Sequence, residues 1–78
     1  SVVFGTVKDE ANRPLSGVTI QVIDLQTVSD EMGNFRLSVP LDKQQVQQRV
    51  QAFKKGYELW DFTGPVSDKI PWKIILRK

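Results

Sequence analysis

The sequence predicts an all-β fold, a β-sandwich of six or seven short strands with little or no helix. Apolar residues recur at every second position in most segments, and β-branched residues are common among them. Turn-forming residues interrupt these segments after roughly ten residues each. The chain has 78 residues, which is enough for one small core, so we expect a single domain over residues 1–78.

The first two strands are predicted at residues 3–8 and 18–23. In the first, β-branched residues alternate between two faces, and in the second Val18, Ile20 and Val22 form an apolar face. Residues 9–17 between them are rich in Asp, Asn, Pro, Ser and Gly, which predicts a loop.

The next two strands are predicted at residues 27–29 and 35–39, as a hairpin-like pair around a tight turn. In that turn we expect Asp30 to accept a hydrogen bond from the turn's own amides. Gly33 is expected at positive φ, which glycine adopts at little steric cost. Pro40 cannot donate to a sheet ladder and is expected to end the second strand.

Residues 41–48 are polar and rich in glutamine, which predicts either a loop or one helical turn. A strand is expected over residues 49–54, and Lys55-Gly56 interrupts it.

An aromatic-rich strand is predicted over residues 57–63, and Gly64-Pro65 is expected to end it. The last strand is predicted over residues 72–77, where Trp72, Ile74 and Leu76 alternate with more polar positions.

The composition excludes several kinds of chemistry. The chain has neither cysteine nor histidine, so disulfides, thiolate chemistry, histidine-based catalysis and the usual zinc sites are excluded. The segment 30–34 has some acidic character, but Ser29 and Met32 break the alternation of ligands that a calcium loop needs. Composition leaves catalysis by a pair of carboxylates open, but no pair stands out, and so small a sandwich offers little room for a water-excluding cleft. We therefore expect no enzyme activity, no cofactor and no metal.

Charge and hydropathy restrict the partners. Residues 1–42 carry a net charge of −3 and residues 43–78 a net charge of +5, but the basic groups are spread as on an ordinary solvated surface. Nucleic-acid binding is therefore not favoured. No apolar run approaches the ~20 residues that span a bilayer, so no membrane span is expected. The segment opens at Ser1 and reads as part of a larger protein.

Four segments resemble the carboxypeptidase regulatory-like domain: residues 3–9, residues 13–22, residues 29–40 and the Lys55-Gly56-Tyr57 step. The resemblance implies a seven-stranded, transthyretin-like Greek-key β-sandwich that is generally non-catalytic. It also implies an accessory role beside carboxypeptidases, receptors or surface proteins, and it favours an extracytoplasmic location without excluding the cytoplasm. Ser29 stands where the family often has Thr, and the glutamine-rich segment 41–48 departs further.

The loop before the second strand contains two further structural residues. Pro14 fixes its own φ, and Gly17 is expected to let the backbone pass closely. Leu15 between them is expected to cover the open end of the core.

The C-terminal third contains the candidate contact residues, an aromatic group interleaved with lysines: Tyr57, Trp60, Phe62 and Trp72, with Lys54, Lys55 and Lys73. Exposed rings would stack on sugars or on a partner surface. However, Trp72 shares its alternation with Ile74 and Leu76, and Trp60 shares it with Phe62, which favours burial.

The sequence thus predicts a structural or protein-interaction module, monomeric in isolation, whose partners are neighbouring domains or other proteins. Two alternatives stay open. One is a carbohydrate-binding or adhesion domain that uses the aromatic residues. The other is a regulatory domain packed on a neighbouring catalytic domain.

Overall fold

The computed structural model describes residues 2–40, 47–65 and 69–78. These residues form seven strands and no helix, so the all-β prediction is confirmed. The strands are β1 Val2–Asp9, β2 Thr19–Val22, β3 Leu25–Val28, β4 Asn34–Ser38, β5 Gln47–Phe53, β6 Trp60–Pro65 and β7 Trp72–Leu76.

The strands form two sheets, one with the order β4-β1-β7 and the other with the order β3-β2-β5-β6. All neighbouring strands are antiparallel except β1 and β7, which run parallel. At one side β3 contacts β4, and at the other side β7 contacts both β5 and β6. The first and the last strand of the chain are therefore neighbours within one sheet.

The core lies between the sheets and is built from the predicted alternation. In β1, β2, β4, β5 and β7, inward positions are buried while most outward positions are accessible. Burial of these aliphatic side chains contributes roughly 25 cal/mol per Å² of apolar surface. The buried apolar residues are Val3, Val7, Leu15, Val18, Ile20, Val22, Phe35, Leu37, Val39, Val50, Ala52, Ile74 and Leu76.

The turn between β3 and β4 is built around Asp30 and Gly33. Oδ1 of Asp30 accepts hydrogen bonds from the backbone N–H groups of Met32 and Asn34, each at 2.9 Å. Gly33 has φ of +78°, and its N–H donates to the carbonyl of Asp30 at 2.9 Å. A side-chain acceptor at the start and a left-handed residue at the fourth position thus define this five-residue turn.

The turn after β1 repeats the same hydrogen bonds. Oδ1 of Asp9 accepts from the N–H groups of Ala11 and Arg13, each at 2.9 Å. Asn12 stands at the fourth position with φ of +64°, and its N–H donates to the Asp9 carbonyl at 3.0 Å. Asn tolerates this left-handed conformation better than most side chains. The chain therefore uses one turn design twice, once with Gly and once with Asn.

The predicted hairpin of the third and fourth strands is wrong. β3 pairs with β2 across the short turn at Ile23, whereas β4 pairs with β1 in the other sheet. The chain crosses between sheets at Ser29, whose buried Oγ donates to the Leu15 carbonyl at 2.8 Å and accepts from the Val18 N–H at 3.0 Å. These long-range hydrogen bonds hold Ser29 against Leu15 and Val18, so that β3 and β4 lie in different sheets and do not form a local hairpin.

The conformational role of Gly17 also differs from the expectation. A Cβ at Gly17 would have only the Lys54 Nζ nearby, at 3.7 Å, so the backbone does not pass closely there. Gly17 is required instead by its φ of +71°. Pro14 forms an isolated bridge with Lys8, and Leu15 is buried in the core.

The bounds of β5 and β6 differ from the prediction by up to three residues. β5 begins at Gln47, two residues before the predicted start, and buries Gln48. β6 begins only at Trp60 and continues through Gly64 to Pro65, because an edge strand tolerates a residue without an N–H donor. The rest of the prediction for the glutamine-rich segment, residues 41–46, lies outside the described residues.

Candidate functional site

The unequal size of the two sheets leaves one strand incompletely covered. The β4-β1-β7 sheet has three strands and the facing sheet has four, so β7 at its edge contacts β5 and β6 together. No fourth strand of the smaller sheet faces β6 within residues 2–40, 47–65 and 69–78. The inward face of β6 is therefore partly open to solvent.

Three aromatic rings occupy this opening. Trp60 and Phe62 pair in register with the buried Ala52 and Val50, so both rings point to the inner side of the sheet. Trp72 lies at the start of β7. We call Trp60, Phe62 and Trp72 the aromatic edge.

The rings of the aromatic edge contact one another. The ring centroids of Trp60 and Trp72 are 6.1 Å apart at an interplanar angle of 86°. Phe62 lies 5.9 Å from Trp60 and 5.8 Å from Trp72. Aromatic pairs prefer such tilted and edge-to-face arrangements, which contribute about 0.5–1.5 kcal/mol beyond burial. The three rings thus form one packed unit and not three separate stacking platforms.

The aromatic residues are less buried than their alternation with apolar residues predicts. Trp60 and Trp72 are half-buried against the core, and Phe62 is 53% exposed. Parity placed the rings on the correct face, but a residue on the inner face is buried only if the opposite sheet extends over it. The exposure of Phe62 was missed because the sequence does not reveal that the facing sheet ends at β7.

Phe62 also covers a glycine in its own strand. A Cβ at Gly64 would lie 2.7 Å from Cε2 of the Phe62 ring, and Gly64 is buried. The Phe62 ring therefore lies along the inner face of β6 over Gly64, which has no side chain to occupy that space.

Two of the remaining candidate contact residues, Tyr57 and Lys54, have described contacts of their own. Tyr57 is half-buried at the corner after β5, and Lys78 Nζ lies 5.6 Å from its ring centroid, which is a cation–π contact. Lys54 Nζ donates to the Ser16 carbonyl at 2.6 Å, and Lys55 is exposed in the turn before Gly56. The described contacts of Tyr57 and Lys54 are thus with Lys78 and Ser16.

Tyr57 and Lys78 border a shallow cleft of about 170 Å³ that also contains Asp9 and Arg13. The Asp9 carboxylate is engaged: Nε of Arg13 donates to its Oδ2 at 3.0 Å. The backbone N–H of Arg13 hydrogen-bonds to the same carboxylate and, with the Arg13 charge, lowers the pKa of Asp9. The carboxylate is thus held ionised by the turn that it organises.

The outer face of the larger sheet carries a polar row. Gln26, Gln21, Gln51 and Asp61 are register partners across its four strands, and Gln26 Nε2 donates to Gln21 Oε1 at 3.3 Å. Arg49 makes a two-point contact with Asp61, with its nitrogens 2.5 to 3.1 Å from the carboxylate oxygens. The hydrogen bonds from Arg49 lower the pKa of Asp61.

The outer face of the smaller sheet carries cations from both halves of the sequence. Lys8, Arg36 and Lys73 occupy outward positions of β1, β4 and β7, and Ile75 beside Lys8 is 42% exposed. The described strands of this sheet have no acidic residue at an outward position. Counting charge along the chain missed this face because only the parallel β1–β7 pairing brings Lys8 beside β7.

The described residues contain no group of three or more acidic, histidine or cysteine residues that could hold a metal ion. They also contain no apolar helix long enough to cross a lipid bilayer.

A comparison of the chain with protein-family models finds no match, and a comparison with curated proteins finds no similar sequence. The functional assignment therefore depends on the geometry described above.

Proposed function

We propose that the chain is a non-catalytic protein-interaction module that contacts another polypeptide surface, in the same polypeptide or in another one, through the aromatic edge. The observation that carries this proposal is the exposure of Phe62: its ring points inward in a three-ring cluster, yet it is 53% exposed. Aromatic residues at the centre of an apolar surface are the usual anchors of protein interfaces. Covering the cluster would complete a core that the smaller sheet leaves open.

The proposal includes the fold family. A transthyretin-like Greek-key β-sandwich of the carboxypeptidase regulatory-like kind is supported by the sheet orders β4-β1-β7 and β3-β2-β5-β6 and by the parallel pairing of the first and last strands. The resemblance of the turn around Asp30 and Gly33 supports it too. Accessory modules of this kind act through what they contact, which agrees with an interaction role and with a regulatory role beside a catalytic domain.

Catalysis is not part of the proposal because Asp9 of the cleft and Asp61 of the larger sheet have structural partners. Asp9 organises a turn and pairs with Arg13, and Asp61 pairs with Arg49. Both carboxyl groups have a lowered pKa, whereas a general acid needs a raised one.

Photocrosslinking tests the proposed interaction. A photoreactive phenylalanine analogue is placed at position 62 in the polypeptide that carries the chain, within the cells that make it. The control position is Met32, which is 68% exposed in the turn before β4. We expect a discrete polypeptide crosslink at position 62, several times stronger than at position 32, whether within the polypeptide or to another one. Equal yields at both positions would contradict the proposal.

The carbohydrate alternative is tested on the same cluster. Trp60 and Trp72 meet at 86°, so they do not form the flat platform that stacks on sugar rings. Binding to a glycan array that is lost on Phe62→Ser, together with no polypeptide crosslink at position 62, would favour carbohydrate over a protein partner.

A further inference from the structure

We propose that the free edge of β7 accepts one extended strand of a partner polypeptide, with alternate apolar side chains that cover Phe62 and intervening acidic side chains that lie beside Lys73. The inference rests on the proposed function and specifies its partner: a short segment in which apolar and acidic residues alternate.

The position for such a strand follows from the sheet orders. β7 is the edge strand of its sheet and pairs on one side with β1 within the described residues. The larger sheet extends to β6, so a strand about 4.8 Å beyond β7 would be a fourth strand facing β6. Adding a strand to a sheet edge supplies main-chain hydrogen bonds that do not depend on the partner's sequence.

The inward side of this position requires apolar side chains. Successive side chains of a strand point to opposite faces, so every second residue of the added strand would point toward β6. There it would meet Phe62, which is 53% exposed, beside the half-buried Trp60 and Trp72. Covering this ring removes apolar surface from water, which favours apolar residues at the inward positions.

The outward side favours acidic side chains. Lys73 is exposed on the outer face of β7, directly beside the proposed strand. Lys8 and Arg36 lie on the same outer face, and the described strands of this sheet place no carboxylate there. Opposite charges on neighbouring strands attract, and like charges repel. A second copy that pairs through β7 would bring lysines together, so the charge disfavours self-association as well.

The length of the added strand is limited by the corner after β5. The N–H of Glu58 donates to the Arg77 carbonyl at 2.6 Å, which closes the edge just beyond the end of β7. The open edge therefore spans Trp72–Leu76, a length of about 16 Å at roughly 3.3 Å per residue. A partner segment of about five to seven residues fits this opening.

Fluorescence anisotropy with a labelled nine-residue peptide tests the inference. In the probe, valine and glutamate alternate, and a scrambled peptide of the same composition is the control. A third peptide carries N-methyl groups on alternate backbone nitrogens along one edge, and a fourth carries them along the other edge. We expect binding by the alternating peptide, weakening with salt, and about tenfold weaker binding by the scrambled peptide and by one of the two methylated peptides.

Two variants with matched controls test the two faces. Phe62→Ser is expected to weaken binding about tenfold, as for the loss of one partly buried ring. Lys73→Glu is expected to weaken it about fivefold and to reduce its salt dependence. The controls Met32→Ser and Lys55→Glu make the same chemical changes at exposed turn positions and are expected to bind within twofold of the unmodified chain. Circular dichroism verifies that all four variants are folded.

Four outcomes would overturn the inference. The first is equal binding by both methylated peptides and the unmethylated one, and the second is an equal loss of affinity in a variant and its control. The third is that the peptide shifts amide NMR signals away from Trp72–Leu76. The fourth is concentration-dependent self-association of the chain through this edge. A polypeptide crosslink at position 62 together with insensitivity to N-methylation would leave the proposed function standing and reject strand addition. No crosslink at position 62 together with sensitivity to N-methylation would reject the proposed contact in the cell, but it would leave strand addition to β7 standing.

Discussion

Gly5 of β1 and Trp72 of β7 approach so closely that position 5 has no room for a side chain. The two residues are partners in the parallel register, and a Cβ on Gly5 would overlap the carbonyl oxygen of Trp72. Gly5 stands at an inward position of β1, between the buried Val3 and Val7. The first and last strands are thus in contact where the aromatic edge begins.

Gly5→Ala is therefore expected to separate β1 from β7 and to lower the free energy of unfolding by about 3 kcal/mol or more. Gly56→Ala is the control. Gly56 has φ of +92° but open space where a Cβ would be, so only its backbone cost of about 1 kcal/mol is expected. Urea unfolding followed by tryptophan fluorescence measures both. Equal losses in the two variants would contradict the close approach.

Gly33→Ala is expected to cost more than Gly17→Ala. Both glycines have positive φ, but a Cβ at Gly33 would also lie 2.5 Å from the Val7 carbonyl oxygen. We expect about 1 kcal/mol for Gly17 and about 2–4 kcal/mol for Gly33, from thermal unfolding of both variants. If Gly33→Ala is no worse than Gly17→Ala, the turn does not pack on β1 as described.

Ile23→Gly is expected to stabilise the protein. Ile23 has φ of +60° in the short turn between β2 and β3, a conformation that is strained for a β-branched side chain, and it is 43% exposed. Relief of this strain is worth about 1 kcal/mol, or a rise of about 4–8 °C in Tm. Gln26→Gly, in the following strand, is the control and should lower Tm. A lower Tm for Ile23→Gly would mean that the turn is not strained.

Acid is expected to destabilise the protein through Asp9 and Asp61. Both have a pKa below the ordinary value of 3.8 in the folded state, so their stabilisation is present above that value. It is lost as the pH falls through the folded pKa values, because protonation breaks the pairs with Arg13 and Arg49. Thermal unfolding between about pH 7 and pH 2.5 measures this loss. In the double variant Asp9→Asn and Asp61→Asn, Tm should fall less steeply as the pH is lowered. An unchanged dependence of Tm on acid pH would contradict the role of these two carboxylates.

The strands of the core were predictable because alternation alone determines which side of a strand is buried. Val18, Ile20 and Val22 form such a face in the sequence and in the structure. The turn at Asp30 and Gly33 has a comparably local signal, since the side-chain acceptor and the left-handed residue lie three positions apart. The pairing of β3 with β2 had no such signal, because it depends on the distant hydrogen bonds of Ser29.

The candidate site was only half predictable for the same reason. The sequence identifies Trp60 and Trp72 as unusual residues, and parity places them on the inner face. Whether Phe62 beside them is covered depends on how many strands the other sheet contributes, which is a property of the whole topology. The basic outer face likewise depends on the pairing of β1 with β7, which are far apart along the chain.

The parallel pairing of β1 and β7 also bears on the order of folding. A ribosome releases Gly5 long before Trp72, so the β4-β1-β7 sheet can form only after β7 has been synthesised, whereas the β2–β3 hairpin closes locally. Contacts of such long sequence separation slow the search for the native state, and all-β domains of this kind fold in roughly milliseconds to seconds. Until β7 has been synthesised and pairs with β1, one edge of β1 is exposed, which makes the incomplete sheet vulnerable to aggregation.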